Sequence, residues 1–418
     1  MKKITINIIG SIVLLGVILY SGCGKEQEKI ITICTEADNV VGVQDLAKAW
    51  EKEHPDIRIE VLSIPTIGAS AETALSELRT EIMAGEGPDV FLLSGPNPNV
   101  LEETIHLFEI PEVTMNADIF LPLDQYIDHA EYTNWEMLNQ KILQAGKTEE
   151  GQMLIPVSYT YYAYVFREED LAQLEALPVT WEQVVETDNP YLQQKLWGKI
   201  GGQFHNAFGK VANYEEGTFL LSKELLLDQL ESTASFLQSG LRKGKTAGET
   251  EEIVGGNVDR EVMELLMREQ NQSHHIWALP NIEKGVTANI CLYAGVNRNT
   301  EYPEEAFSVV DMLLSDEVQS GRGFKKGDRN FGTLVSANQQ GFSVNQQSFD
   351  GKLSRLNQED ADTLKLIEEK ISTVRFLSEI DCELCELFSY VSYGPEKPDK
   401  GEAAVQKTLE SVQMKLSE

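Results

Sequence analysis

The spacing of apolar and polar residues between positions 30 and 93 predicts strands that alternate with helices. Ile57, Ile59 and Val61 alternate with charged residues, which is typical of a half-buried strand. Helices are indicated where apolar residues recur at i, i+3, i+4 and i+7. The predicted elements are strands at residues 30–35, 57–61 and 89–93 and helices around residues 43–50 and 71–82. This order predicts a parallel sheet with right-handed crossovers.

The ends of two of these strands are the first candidate binding site. Ligands of open parallel sheets bind in the crevice beyond the carboxyl ends of the strands. In this chain the first strand ends at Thr35-Glu36-Ala37 and the third ends at Ser94-Gly95-Pro96. We therefore expect these two segments to lie side by side and to line a crevice.

The rest of the chain reads as a second set of alternating elements. We expect strands at residues 151–159, 161–166, 276–279 and 286–296, two helices within 121–143, and helices within 217–240, 303–314, 361–377, 379–390 and 402–416. His274-His275 reads as a loop, because neither histidine has a partner at the spacing of a metal site. No repeat and no long low-complexity linker separates these elements, so we expect two domains that interleave through several crossings.

The N-terminus has the order of an export signal. Lys2 and Lys3 precede an apolar run over residues 4–20, and Ser21-Gly22-Cys23 follows. This resembles a bacterial lipoprotein signal, with residues 1–22 removed, Cys23 lipidated and residues 23–29 as a tether. Tyr20 stands where that pattern prefers leucine. The alternative is a simple membrane-spanning helix, for which 17 residues interrupted by polar and glycine positions are marginal. Both interpretations place the remaining chain outside the cytoplasm, attached to a membrane.

Net charge and cysteine usage exclude several classes of function. A net charge of −32 disfavours nucleic acid, whose phosphates require a basic surface, and also disfavours binding of the protein body to an anionic membrane. Besides Cys23 there are four cysteines, too few for a disulfide scaffold in a chain this long. Cys382 and Cys385 form a lone C-x-x-C that we interpret as two packed thiols, with a local disulfide as the alternative. Zinc would need a second pair of ligands, so we predict no metal and no cofactor.

The sequence contains none of the complete catalytic or phosphate-binding motifs considered in this paragraph. Residues 239–246 resemble a phosphate-binding loop, but the two glycines are one residue too close and the segment follows a helix. The motifs G-x-S-x-G and H-E-x-x-H are absent. With 67 acidic residues, a glycosidase-like carboxylate pair is not excluded by counting, and nothing singles one out.

Four tyrosines within six residues are the most unusual local feature. Tyr159, Tyr161, Tyr162 and Tyr164 offer wide aromatic faces with a hydrogen-bonding tip, which suit the C–H faces and hydroxyls of sugars. Ordinary strand packing is the alternative. Alternation along a strand predicts Tyr159 and Tyr161 on one face and Tyr162 and Tyr164 on the other. We expect one face in a core and the other at the crevice.

Several segments, in order, resemble the extracellular solute-binding proteins of bacterial ABC importers, the group that includes maltose-binding protein. The resemblance covers nearly all of the chain after the signal. One departure is that Val262-Met263-Glu264-Leu265-Leu266 stands where the family often has an Ala-Met pair and a Gly-x-Trp. The similar segments are residues 31–35, 78–91 with their G-x-G-P-D turn, 151–171, 179–181, 277–299 and 304–319.

The resemblance implies an α/β fold of the periplasmic-binding-protein type. Two lobes, each a mostly parallel sheet flanked by helices, would be joined by a hinge of several strands with the ligand in the cleft. On this basis lobe one would comprise residues 30–153 and 287–332, and lobe two residues 154–286 and 333–418. The residues that match ligand-contacting positions are Glu36, Ser94, Pro96, Tyr159, Thr160, Tyr161, Tyr293 and Phe331.

The function implied by the resemblance is binding without chemistry. A lipid-anchored monomeric receptor would close around a solute, with a carbohydrate as the leading class, and deliver it to the membrane subunits of an ABC permease. Alternatives within this interpretation are a non-sugar solute or a signal to a membrane sensor. An extracytoplasmic carbohydrate-active enzyme is the alternative from another class.

Overall fold

The computed structural model describes residues 29–98, 104–167, 171, 176–242, 255–321, 341–392 and 398–417. The predicted signal, Cys23 and Phe331 lie outside these ranges. None of the helices in the described ranges has the length and apolar composition that a membrane crossing requires.

The strands are β1 Lys29–Glu36, β2 Ile57–Ile64, β3 Val90–Ser94, β4 Lys147–Thr148, β5 Gly151–Gln152, β6 Leu154–Thr160, β7 Tyr162–Arg167, β8 Ala212–Asn213, β9 Thr218–Phe219, β10 Gly255–Asn257, β11 His274–Ala278, β12 Val286–Val296, β13 Phe342–Ser343 and β14 Ile371–Phe376. The α-helices are α1 Val40–Glu53, α2 Ala69–Met83, α3 Pro111–Thr114, α4 Asp124–Ile127, α5 Gln140–Leu143, α6 Trp181–Val185, α7 Pro190–Leu196, α8 Lys223–Arg242, α9 Met263–Arg268, α10 Pro303–Leu314, α11 Asp316–Gln319, α12 Gln346–Leu353, α13 Gln358–Glu369, α14 Glu379–Ser392 and α15 Pro398–Ser417. Single turns of tighter or wider helix occupy Trp135–Met137, Gln144–Gly146, Gly201–Ala207 and Val258–Val262.

Two sheets organise the described residues. The larger has seven strands in the order β13-β6-β12-β3-β1-β2, with β14 also paired to β12. β1 pairs in parallel with β2 and β3, as the alternating pattern predicted. β12 runs antiparallel to β3 and β6, so the sheet as a whole is mixed. The smaller sheet has the antiparallel order β10-β7-β11.

Successive side chains along the strands enter different cores. Ile33 and Leu92 belong to the core that includes α1 and α10, whereas Cys34 and Phe91 belong to another with α2. A third core packs the smaller sheet against α8, α14 and α15. The predicted alternation of the tyrosines is confirmed, because Tyr159 and Tyr161 join the first core and Tyr162 and Tyr164 join the third. The lobe boundaries stay a prediction; the structure places residues 154–160 in the larger sheet.

The prediction of one helix over residues 361–377 is wrong. The helix ends at Glu369, and β14 then pairs in parallel with β12. The run Ile371-Ser372-Thr373-Val374 contains three β-branched residues, which favour a strand when a neighbouring strand is available. β12 supplies that neighbour from a position more than 80 residues earlier in the chain.

Two further local predictions are wrong. His274-His275 is the start of β11 rather than a loop. The His274 ring is fully buried, and its Nδ1 lies 3.1 Å from Oδ2 of Asp360, so an acid distant in sequence satisfies it. The two helices expected within 121–143 are only four-residue turns, α4 and α5, with a 3₁₀ turn between them. The carboxylate of Asp311 holds the intervening chain by accepting the backbone N–H groups of Glu131 and Tyr132.

Candidate functional site

The carboxyl ends of β1 and β3 lie side by side, as predicted. The Glu36 side chain is buried there; its Oε1 accepts the backbone N–H of Ser94 at 2.9 Å and its Oε2 accepts the Asn39 amide at 3.2 Å. The same amide nitrogen lies 3.3 Å from Ser94 Oγ. Glu36, Asn39 and Ser94, which we call the strand-end cluster, therefore join two strands to the start of α1.

Burial dominates the electrostatics of the strand-end cluster. It raises the pKa of the Glu36 carboxyl to about 7, although hydrogen bonds from Ser94 and Asn39 favour the charged form. Burial also raises the pKa of the Cys34 thiol, and this rise is larger than the rise for Glu36. Glu36 therefore changes charge near neutral pH, where a surface glutamate remains ionised.

The segment that follows Ser94 contacts the end of β14. A Cβ on Gly95 would lie 2.5 Å from the carbonyl oxygen of Leu377, so only glycine leaves room for this approach. Pro96 is buried beside it. The chain that leaves β14 toward α14 therefore lies against the predicted site loop.

The predicted tyrosine site lies inside the protein. Tyr159 is fully buried and Tyr161 is 1% exposed. Both rings contact Phe342, with centroids 6.2 and 6.3 Å away, and the Tyr159 hydroxyl donates to the Glu368 carboxylate. The expectation that one tyrosine face reaches a crevice is therefore wrong for this structure, because both faces of the segment pack into cores. The tyrosine rings pack into cores and do not line a crevice, because the faces of both adjacent sheets are covered.

Thr160, between these tyrosines, has a polar partner that the sequence did not indicate. Its hydroxyl donates to Asp259 Oδ1 at 2.6 Å, and Asp259 Oδ2 accepts the backbone N–H of Gly341 at 2.5 Å. Asp259 follows β10, which pairs with β7. The segment beside the crossing is thus residues 255–259, whereas the resemblance places the family motif at residues 262–266. The Gly255-Gly256 pair was the available signal, since a Cβ on Gly255 would lie 2.5 Å from the Tyr164 ring.

Tyr293 is buried on the return crossing and lies opposite Leu93 and Pro156 in the sheet. Its ring meets Phe376 edge-on with centroids 5.2 Å apart. Burial raises its pKa well above the ordinary value, and the carboxylates of Glu36 and Glu112 act in the same direction. The structure thus brings Tyr293 near Glu36 and Ser94, while Tyr159 to Tyr161 contact a different set of residues.

A buried ionic network joins β14 to the smaller sheet's core, and sequence reasoning missed it. The Arg375 guanidinium lies 2.8 Å from Asp381 Oδ1 and donates to the carbonyl of His205 at 2.7 Å. Glu112 accepts the backbone N–H of Phe376 at 3.1 Å. Burial raises the pKa of the Glu112 carboxyl to about 8. Nothing local in the sequence marks these residues, because they are up to 264 positions apart.

The donor chemistry of the described residues does not assemble a metal centre. Among them, no group of three or more histidine, cysteine, aspartate or glutamate side chains is placed to hold an ion. Cys34, Cys291, Cys382 and Cys385 are free thiols, in agreement with the favoured interpretation of the C-x-x-C pair. Burial raises the pKa of Cys385 to about 12, so it is not an activated nucleophile.

Comparison with known proteins gives a family match for part of the chain and solved structures with the same fold. Residues 36–210 match the family model described as bacterial extracellular solute-binding protein. A search of curated protein sequences finds no match. Solved structures with the same fold include an extracellular solute-binding protein family 1 from Alicyclobacillus acidocaldarius, with 16% identity, a TM-score of 0.58, and coverage of 94% of this chain and 100% of the other.

Two further structures carry a ligand in their names. A cyclic α-maltosyl-1,6-maltose binding protein from Arthrobacter globiformis has 12% identity and a TM-score of 0.57, covering 93% of this chain and 99% of the other. An ABC substrate-binding protein from Listeria monocytogenes in complex with cycloalternan has 15% identity and a TM-score of 0.53, covering 94% and 100%. The expected two-lobe α/β fold is confirmed. Residues 36–210 therefore resemble the bacterial extracellular solute-binding proteins, and the fold of the solved structures is shared along almost the whole length of the chain.

Proposed function

We propose that the chain is an extracytoplasmic receptor that binds a carbohydrate and presents it to an ABC permease. The observation that carries this proposal is the family match over residues 36–210 together with a fold shared with an oligosaccharide-binding protein. The polar strand-end cluster supports it, because hydroxyl-rich ligands are recognised by a few fixed hydrogen-bonding groups. Binding requires no covalent step.

The proposed mechanism is closure of two lobes around the solute. The chain passes from the larger to the smaller sheet at Tyr161, between β6 and β7, and returns between β11 and β12. Few backbone crossings between rigid sheets permit a hinge rotation. A ligand that contacts both lobes stabilises the closed form by its differential affinity for that form. Of the predicted ligand contacts, we assign the direct ones to Glu36, Ser94 and Thr160.

A ligand panel tests the proposal. The mature protein, without residues 1–22, is mixed with neutral oligosaccharides and with peptides, and its melting temperature is measured. A saccharide at 100 times its Kd adds about 2.7 kcal/mol to the free energy of unfolding, which is easily detected. Chromatography of the same mixtures distinguishes the enzyme alternative, because an enzyme consumes the saccharide. Stabilisation by peptides alone would contradict the sugar class.

Closure is tested by small-angle scattering. The radius of gyration is expected to decrease when a saccharide that raises the melting temperature is added to saturation. An unchanged radius would contradict hinge closure and leave binding itself unaffected. The radius of gyration of a Thr160→Val variant is compared with that of the wild-type protein. This substitution keeps the volume of the side chain and removes the hydroxyl that donates to Asp259.

The lipid anchor is tested separately by fractionation. Cys23→Ser removes the thiol that would be lipidated, so we expect the variant to remain uncleaved or to leave the membrane fraction. A variant that matures and fractionates like the wild-type protein would contradict the anchor. Tyr20→Leu, which restores the common residue of the signal, is the matched control and should fractionate as the wild-type protein does.

A further inference from the structure

A cleft of about 550 Å³ lies apart from the strand-end cluster. One wall comes from α3 and β4, through residues that include Glu112, Asn116 and Thr148. The lining also includes residues between Lys210 and Glu215 and residues 372–375 of β14. The volume is within the range of small-molecule sites, roughly 300–1,000 Å³. Glu36, Asn39, Ser94 and Thr160 do not line it.

Two residues that line this cleft each carry a deeply buried polar atom with no partner among the described residues. Glu112 is 6% exposed; one carboxyl oxygen accepts the Phe376 N–H, while Oε2 has no hydrogen bond. Arg375 is 4% exposed; its Nη2 lies 2.8 Å from Asp381 Oδ1 and donates to the His205 carbonyl, while Nε has no hydrogen bond among the described residues. An unpaired buried polar group costs about 1–3 kcal/mol, so a ligand that satisfies both atoms gains affinity.

The remaining lining favours an uncharged, hydroxyl-rich ligand. Exposed lysines 147 and 210 are balanced by exposed glutamates 215 and 283. Arg375 is already paired with Asp381. The other polar groups are hydroxyls and amides on Asn116, Gln144, Thr148, Asn213, Ser372 and Thr373, with the Tyr214 ring beside them. Such a lining offers no excess charge for an ionic solute and many partners for hydroxyl groups.

The protonation of Glu112 is consistent with this ligand class. Burial raises its pKa to about 8, so the carboxyl is mostly protonated at pH 7. Because the other oxygen accepts the Phe376 N–H, the proton is available on Oε2 as a donor. Arg375 Nε is also a donor. Both donors can be accepted by the hydroxyl oxygens of a sugar.

We propose that this cleft is a second binding site, for an uncharged saccharide, with Glu112 and Arg375 as its buried anchors and Tyr214 as its aromatic contact. The site is separate from the strand-end cluster that the proposed function uses. Occupation of the two sites can therefore be read independently, and a failure of one proposal is distinguishable from a failure of the other.

Hydrogen–deuterium exchange tests the proposal on the mature protein. The probes are maltose and mannobiose at millimolar concentration. Peptides over residues 144–148 and 210–215, which line the cleft, report on it, and a peptide over residues 34–39 reports on the strand-end cluster. We expect saccharide to slow exchange in the cleft peptides. Protection confined to residues 34–39 would overturn the second site, and protection confined to the cleft peptides would leave the second site standing and contradict the primary one.

Two variants of different kinds keep the test independent of folding. Glu112→Met keeps the length of the side chain and removes the donor at Oε2, together with the acceptor for the Phe376 N–H. Thr148→Trp fills the cleft from a half-buried position on its rim, and Thr80→Trp on the exposed face of α2 is the matched control. We expect at least a tenfold weaker saccharide dependence of cleft protection in the first two and wild-type behaviour in the control. Wild-type protection in both cleft variants would overturn the proposal.

Discussion

Replacing Glu36 by glutamine should remove a pH dependence of stability that is built into the strand-end cluster. The carboxyl is buried against the Ser94 N–H at 2.9 Å and the Asn39 amide at 3.2 Å. Burial raises its pKa from 4.5 to about 7. Glutamine has nearly the same shape, can still accept the Ser94 hydrogen bond, and carries no titratable proton. The variant therefore isolates the ionisation from the packing.

The sign and size follow from linkage. A group whose pKa is raised on folding contributes stability that is fully present below the unfolded value, here about 4.5, and is lost as the pH rises through about 7. At 1.36 kcal/mol per pKa unit, a rise from 4.5 to about 7 corresponds to about 3 kcal/mol. The wild-type protein should thus lose about 3 kcal/mol from this group between pH 4.5 and pH 8, and Glu36→Gln should not.

The assay is urea unfolding of both proteins at pH 5, 6, 7 and 8. The quantity of interest is the difference in free energy of unfolding between them, because other groups titrate alike in both and cancel. Glu112, whose raised pKa acts with the same sign, cancels in this way. Glu72→Gln on the exposed side of α2 is the control. A difference that stays constant across this pH range would refute the argument that burial controls Glu36.

Four other substitutions, at three positions, have clear expected outcomes in the same unfolding assay. Asp381→Asn leaves the Arg375 guanidinium without its buried counter-charge and should cost about 3–5 kcal/mol; a loss below 1 kcal/mol would contradict the ion pair. Tyr161→Phe removes a buried hydroxyl with no partner among the described residues and should stabilise by about 1 kcal/mol, whereas Tyr161→Ala should destabilise by about 3–5 kcal/mol. Gly95→Ala should cost about 1–3 kcal/mol, because its Cβ would meet the Leu377 carbonyl; an unchanged midpoint would contradict that approach.

The fold was predictable where the pattern is local. β1, α1, β2, α2 and β3 each bury a stripe whose period can be read within one segment, and neighbours in sequence are neighbours in the sheet. β14 was not predictable in this way. Its six residues come just after α13, and the helical spacing of apolar residues in the sequence continues into them. The strand exists because β12 offers an unpaired edge at residues 286–290, which no local pattern announces.

In the candidate site too, features that are local in the sequence were predictable and contacts between distant residues were not. Strand ends are local features, so Glu36 and Ser94 were expected to lie together, and they do. Asn39 immediately precedes α1, but its side chain makes no cap hydrogen bond and donates to Glu36 instead. For the tyrosines, alternation along the strand correctly predicted which side chains share a face. It carries no information on whether that face of the sheet is covered by other parts of the protein.

The tyrosine-rich segment bears on the proposed closure. Tyr159 is held in the first core and Tyr164 in the third, so neither end of the segment is free to slide. In the proposed closure, rotation between the sheets would be absorbed between these residues, at Tyr161, where the strand pairing stops. On the return crossing the pairing of β12 with β6 shifts register between Leu292 and Tyr293. A register shift interrupts the ladder of hydrogen bonds and bends the strand locally, so it is where bending costs least. This bend lies within the larger sheet, where β12 pairs with both β3 and β6, whereas the chain returns from the smaller sheet earlier, between β11 and β12.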